Sequence, residues 1–221
     1  MNKGDLNIVN INQIKEGGFM PNLSIPLSEN FILRELLHSE LAERDEALKR
    51  EQANPPADII ENIQYLVDTA LQPIRSNLGF SIRITSGYRC QTVNKLAGGS
   101  GTSQHCRGEA ADCKLSPRFL TEPGTVSNRE EISSKVKEIT GKSIKPEVGE
   151  NFYLFAFICL HLDELDVDQV IHEYGDNFGH PAWVHISASR RKNKRQILCV
   201  GSYTNKHYLK PTLEEALSYG T

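Results

Sequence analysis

A chain of 221 residues with a formal charge of −3, from 25 Lys and Arg against 28 Asp and Glu, is long enough to bury a core as one globular domain or one domain with an appendage. With 38% hydrophobic and 24% charged residues it is neither disordered nor collagen-like, and its longest apolar run, residues 152–160, is too short to span a bilayer. The near-neutral balance argues against a binder of duplex nucleic acid, which needs a strongly basic face, and favours a small-molecule or peptide substrate.

The first residues carry no apolar stretch of signal-peptide type, so the chain is expected to be made in the cytoplasm and to stay there unless something releases it. Five cysteines without a Cys-x-x-Cys pair read as reduced and mostly buried. Residues 1–22, with Gly4, Gly17, Gly18 and Pro21, read as an N-terminal extension, and residues 23–221 as the domain. Ser28 is placed to cap a helix carrying Phe31, Leu33, Leu36 and Leu37, and the polar residues 40–52 follow as a solvated helix or loop. Asn54 and Pro55 restart a helix, since an Asn cap accepts a backbone N–H and proline loses nothing at the first helical position. Ile59, Ile60, Ile63, Leu66, Val67, Ala70, Leu71 and Ile74 then recur at spacings of three and four, which predicts one apolar helix face.

Phe80, Ile82 and Ile84 alternate with polar residues as in a half-buried strand, and residues 109–115 suggest a second strand. Residues 116–150, with three prolines and a polar segment at 128–142, read as an insertion carrying a surface helix, placed where it can flank the site. Residues 152–162 predict a buried helix, residues 167–174, 183–188 and 196–203 three strands, and residues 212–218 a closing helix. The expectation is an α+β fold, helices first and an antiparallel sheet later.

The chemistry concentrates in residues 103–112, where His105 and Asp112 lie seven apart around Gly108 and two alanines. Small residues there let backbone pack beside a crowded site. Far downstream, His185 sits in an apolar strand, where an imidazole without a partner is costly to desolvate. Two His and one Asp make a set of three ligands, the number that a catalytic zinc needs if its fourth position is to stay open for water. If residues 167–174 and 183–188 form a hairpin across 175–181, Glu173 falls on the face of His185, opposite it or one diagonal away; His172 takes that face only in an odd register.

Residues 30–37, 71–75, 85–89 and 103–112 together with Trp183-Val184-His185 resemble, in order, the zinc D-Ala-D-Ala carboxypeptidase family. That family includes phage L-alanyl-D-glutamate endopeptidases and shares its fold with the hedgehog signalling domain. The resemblance spans about residues 28–203, leaving residues 1–22 and 116–150 outside. It implies one Zn2+ per chain on His105, Asp112 and His185, and a substrate-facing role for Arg89, which is suited to a developing oxyanion. Ser103 is either a turn residue or a substrate contact. Many relatives carry the catalytic carboxylate three residues before the last zinc histidine, and that position here is Ala182. Glu173 is therefore the expected general base, with Asp176 in reserve.

The resulting expectation is a zinc metallopeptidase that cleaves a bond of the peptidoglycan stem peptide, with no nucleic-acid partner and no membrane insertion. The resemblance favours an endopeptidase of phage or prophage origin, acting on the wall after release or as part of a virion. The alternative is a catalytically inactive, zinc-stabilised binding or virion structural module. Trp183 is expected to pack in the core, His180 to approach the metal from its loop, and Cys106 and Cys113 to be core packing. The basic run at residues 190–195 reads as a solvated turn between strands.

Overall fold

The computed structural model describes residues 22–175, 179–201 and 207–221. All but the last residue of the extension expected at 1–22, Asp176 and the end of the strand expected at 196–203 lie outside the described residues.

Helix α1 (Leu33–Leu37) buries Leu33, Leu36 and Leu37 as its spacing requires, but Ser28 does not cap it. Ser28 Oγ instead donates to Gln72 Oε1 at 2.7 Å, and the first turn is closed by Glu35, whose Oε2 accepts from the Ile32 N–H at 2.9 Å. The polar stretch that follows forms α2 (Glu46–Ala53), with Asp45 accepting from the Leu48 N–H at its start. Asn54 closes α2 rather than opening the next helix, and α3 (Ala57–Leu66) begins after both prolines. The predicted apolar face is present and buried along its whole length. It continues through a π-helical turn, Val67–Leu71, into α4 (Gln72–Leu78). Pro73 accounts for the turn: it has no N–H and its ring crowds the carbonyl four residues back, so the ladder widens there without ending. Gly79 stops the helix with φ 60°.

The sheet has five strands: β1 (Ile82–Ser86), β2 (Ala110–Leu115), β3 (Gln169–Glu173), β4 (Trp183–Ser187) and β5 (Gln196–Val200). They lie in the order β1-β2-β4-β3-β5, with a short helix, α5 (Gln91–Leu96), between β1 and β2. The sheet is mainly antiparallel, as expected, with one parallel pair at an edge, where β5 runs alongside β3. The connection at residues 188–195 crosses the start of β3 and is bonded to it, so β5 enters in the direction of β3.

Period-two alternation separates the sheet into two faces. Ala111, Cys113, Val170, Val184, Ile186 and Cys199 point into the main core, which α3, α4 and the apolar helix α7 (Glu150–Leu160) fill. Asp112, Ile171, Glu173, His185 and Leu198 alternate with them and share the opposite face. Helix α6 (Val126–Thr140) buries Ile132 and Val136 and packs on α7 and on the closing helix α8 (Leu213–Leu217). Among the described residues no helix is long and apolar enough to cross a membrane.

Candidate metal centre

Two close backbone approaches bring His105 to the sheet. Gly87, just after β1, lies so near α1 that a Cβ there would sit 2.3 Å from Leu36 O, and its carbonyl accepts from His105 Nδ1 at 2.7 Å. The 3-10 turn Gln104–Arg107 that carries His105 ends at Gly108, with φ +66°, where a Cβ would lie 2.7 Å from Ile59 O in α3. Two residues on, β2 begins, and Asp112 stands directly opposite His185 of β4.

Three ligand atoms converge. His105 Nε2 lies 3.2 Å from His185 Nδ1 and 3.2 Å from Asp112 Oδ1, and His185 Nδ1 lies 3.1 Å from Asp112 Oδ1. His105 must carry its proton on Nδ1 to donate to the Gly87 carbonyl, which leaves a lone pair on Nε2. On the far side of the His185 ring, Nε2 is 3.5 Å from Gln104 Oε1, an acceptor, which favours a proton there and a lone pair on Nδ1. Lone pairs from two imidazoles and a carboxylate then face one another, an arrangement that a cation relieves. Their spacing approaches the edge of about 3.3 Å that follows from tetrahedral zinc bonds of about 2.0 Å. The buried His105, Asp112 and His185 thus fit a metal site.

Burial pushes the Asp112 carboxyl up; without a cation, protons on the His105 and His185 nitrogens that face it outweigh burial and hold it well below the usual carboxylate range, and a bound cation takes the place of those protons. Arg89 is the second restraint on Asp112. Its Nη2 donates to Asp112 Oδ2 at 2.6 Å while its Nε donates to Ser86 Oγ at 2.8 Å, which leaves Oδ1 turned to the histidines. The arginine expected to face substrate therefore grips a candidate metal ligand with one edge. Among the described residues its Nη1 makes no hydrogen bond, and Arg89 lines the cleft.

Of the two positions left open for Glu173, it occupies the diagonal: β3 pairs Ile171 with His185 and Glu173 with Trp183. It is 7% exposed, and its Oε2 accepts from Trp183 Nε1 at 2.8 Å. Burial pushes the Glu173 carboxyl up and the Asp112 charge adds to this, against the opposite pull of His185, Trp183 Nε1–H and Arg89. Trp183 is not core packing, as expected from sequence, but half-buried on the site face; residues 183 and 185 are two apart on one strand. Ser103 is the N-cap of the His105 turn, makes no capping bond through its side chain, and lines the cleft.

Other expectations are corrected. His180 is turned to Glu147, whose carbonyl accepts from its Nε2, and is not among the residues lining the cleft. Residues 116–150 also stay away from the site, because α6 lies against α7, on the core side of the sheet. Cys113 is buried in the core, but Cys106 is only half-buried on the 3-10 turn. Sequence reasoning passed over Gln104 and Asp168: Gln104 Nε2 donates to the buried Asp168 Oδ2 at 2.8 Å, so one side chain links Asp168 to His185. The signal for Gln104 was its place beside His105; an aspartate at the mouth of an apolar strand gave none.

The site opens into a cleft of about 1060 Å³. Its walls include Tyr208 and three residues of the basic run, Arg191, Lys192 and Lys194. The family model described as Peptidase M15 matches residues 31–139. The matched stretch contains Arg89, His105 and Asp112, runs through residues 116–139, which the sequence reading set outside the resemblance, and ends before Glu173 and His185. A comparison of the chain with curated proteins finds no match.

Proposed function

From the peptidase M15 domain that the chain carries, we propose that it is a zinc-dependent peptidase that hydrolyses a bond of the peptidoglycan stem peptide, with Glu173 as the general base. The M15 family implies peptide-bond hydrolysis and a cell-wall peptide as substrate. The observation that carries the finer reading is the convergence of His105 Nε2, Asp112 Oδ1 and His185 Nδ1, with a buried carboxylate on the same face of the sheet. An N,N,O donor set suits zinc. Held by these three residues, zinc would supply a Lewis acid that activates water and polarises the scissile carbonyl.

The chain's own residues do the rest. Glu173, its carboxyl raised by burial, takes the proton of the attacking water and returns it to the leaving amine; a raised pKa suits both steps. The Trp183 indole N–H holds one carboxylate oxygen of Glu173 in place, so the base does not have to be ordered during the reaction. Arg89 keeps Asp112 in a single orientation and presents Nη1 to a substrate oxygen; Ser103 lines the same wall. The endopeptidase and phage readings, and action on the wall after release or within a virion, rest on the sequence resemblance alone.

The inactive-module alternative drew on Ala182, and Glu173 on the neighbouring strand supplies the carboxylate that position lacks. The test is mass spectrometry of fragments released from purified peptidoglycan by the zinc-loaded protein, with a chelator-treated control. New peptide ends that require zinc support the peptidase and identify its bond. Intact peptidoglycan of several chemotypes would leave the inactive module.

A further inference from the structure

The run Arg190-Arg191-Lys192-Asn193-Lys194-Arg195 is not a uniform solvated turn. Its outer members are engaged on the surface, Arg190 with Glu61 and Arg195 with Asp163. The three cations between them, Arg191, Lys192 and Lys194, line the cleft that holds the metal donors. Among the described residues no carboxylate pairs with any of these three side chains. Three acids beside the turn are already committed: Glu109 accepts from Arg107 Nε at 2.6 Å and from Ser189 Oγ at 3.0 Å, Asp168 accepts from Gln104 and from the Lys194 N–H, and Asp166 accepts from the Tyr65 hydroxyl and from Asn193.

The backbone of the turn is also held. Ser189 N–H donates to Asn193 Oδ1 at 2.7 Å, Asn193 Nδ2 to Asp166 Oδ1 at 2.7 Å, and Lys194 N–H to Asp168 Oδ1 at 2.8 Å. Arg195 closes it with φ 53°, a conformation that non-glycine residues rarely adopt. The cations are thus carried on a fixed scaffold, which lowers the ordering cost of binding an anion. That scaffold is short of the metal ligands by two side chains: Lys194 N–H bonds Asp168, Asp168 bonds Gln104, and Gln104 abuts His185.

We propose that Arg191, Lys192 and Lys194 form the anion-binding wall of the cleft and read a carboxylate of the substrate peptide beside the bond that is cleaved. This rests on the peptidase reading and adds a specificity determinant to it. A peptide carboxylate is favoured over a polyanionic polymer because the three cations share one cleft with the metal donors, where a single flank of a bound peptide reaches them. A chain of net charge −3 also offers little general attraction for polyanions.

The test measures equilibrium binding to the full-length chain in chelator, so that turnover does not intervene. The probes are a fluorescent stem tetrapeptide with free carboxylates, the same peptide with its internal carboxylates amidated, and polyglycerol phosphate. Each is titrated against the wild type and against Arg191→Gln/Lys192→Gln/Lys194→Gln, whose exposed substitutions are checked by circular dichroism. Loss of charge-assisted hydrogen bonds should make the wild type prefer the acid peptide by about tenfold or more, and the triple variant should bind both peptides alike. Equal binding of the two peptides by the wild type, discrimination that survives in the variant, or cation-dependent binding of polyglycerol phosphate without peptide discrimination would overturn the proposal. Failure of the peptidase reading shows separately, as intact peptidoglycan in the digestion experiment.

Discussion

Gly108→Ala tests the physical reason for the glycine that follows His105. The substitution does two things at once. It places an L side chain at φ +66°, which costs about 1–2 kcal/mol. It also drives a Cβ to 2.7 Å from Ile59 O and 2.9 Å from Ile63 Cγ1, and overpacking against a helix that cannot move aside costs about 1–3 kcal/mol more. The sum is about 2–5 kcal/mol, or a fall in Tm of very roughly 4–20 °C at about 2–4 °C per kcal/mol for a chain of this length. Gly98→Ala is the matched control, because Gly98 has the same φ of +66° but no atom within 4 Å of the added Cβ. It should lose only the conformational part, about 1–2 kcal/mol. Thermal and urea denaturation of the metal-free variants measures both. Zinc affinity should fall for Gly108→Ala alone, since only that turn carries His105. Equal losses from the two substitutions would refute the claim that the His105 turn is held by contact with α3.

Other perturbations follow from the same contacts. Trp183→Phe removes the N–H that favours ionised Glu173, so the acidic limb of the kcat/KM profile should move to higher pH; a limb that stays in place contradicts the contact's role. Glu173→Gln should stabilise the metal-free protein at neutral pH. Because folding raises the Glu173 pKa, the folded state keeps its proton longer, and wild-type stability declines as pH rises from the ordinary 4.5 through the folded value. The variant's advantage should vanish in acid, and urea denaturation across pH would expose an advantage of any other shape. Arg89→Gln should weaken zinc binding by about 10- to 100-fold, as removal of partners that orient metal ligands commonly does, which competition with a chromophoric chelator measures. An unchanged affinity would mean that Asp112 needs no such restraint.

Much of this architecture was legible because it depends on period. The stripe from Ile59 to Ile74 gave the central helix, and the strand alternation around residues 171–173 and 183–185 gave the hairpin with Glu173 on the face of His185, the register then setting it one diagonal away. The same rule, applied one step further, puts Trp183 on the site face; treating a large aromatic as core by default concealed it. Local capping signals did worse. Ser28 found a tertiary partner in Gln72, and two successive prolines moved the start of α3 beyond Asn54. The parallel placement of β5 was not legible, because it is set by hydrogen bonds between the 188–195 connection and the start of β3. Nor was the Asp168–Gln104 support of His185, since it joins residues 64 apart through side chains that carry no pattern. The basic run read as solvent-facing because sequence shows charge but not which members a neighbouring acid removes from play.

The most direct test measures zinc content and hydrolysis of a stem peptide on the same samples of wild-type protein and Glu173→Gln. The account predicts one zinc per chain in both, with turnover in the wild type that is abolished by chelator and by the substitution. Turnover that survives zinc removal, or that Glu173→Gln leaves unchanged, would contradict it.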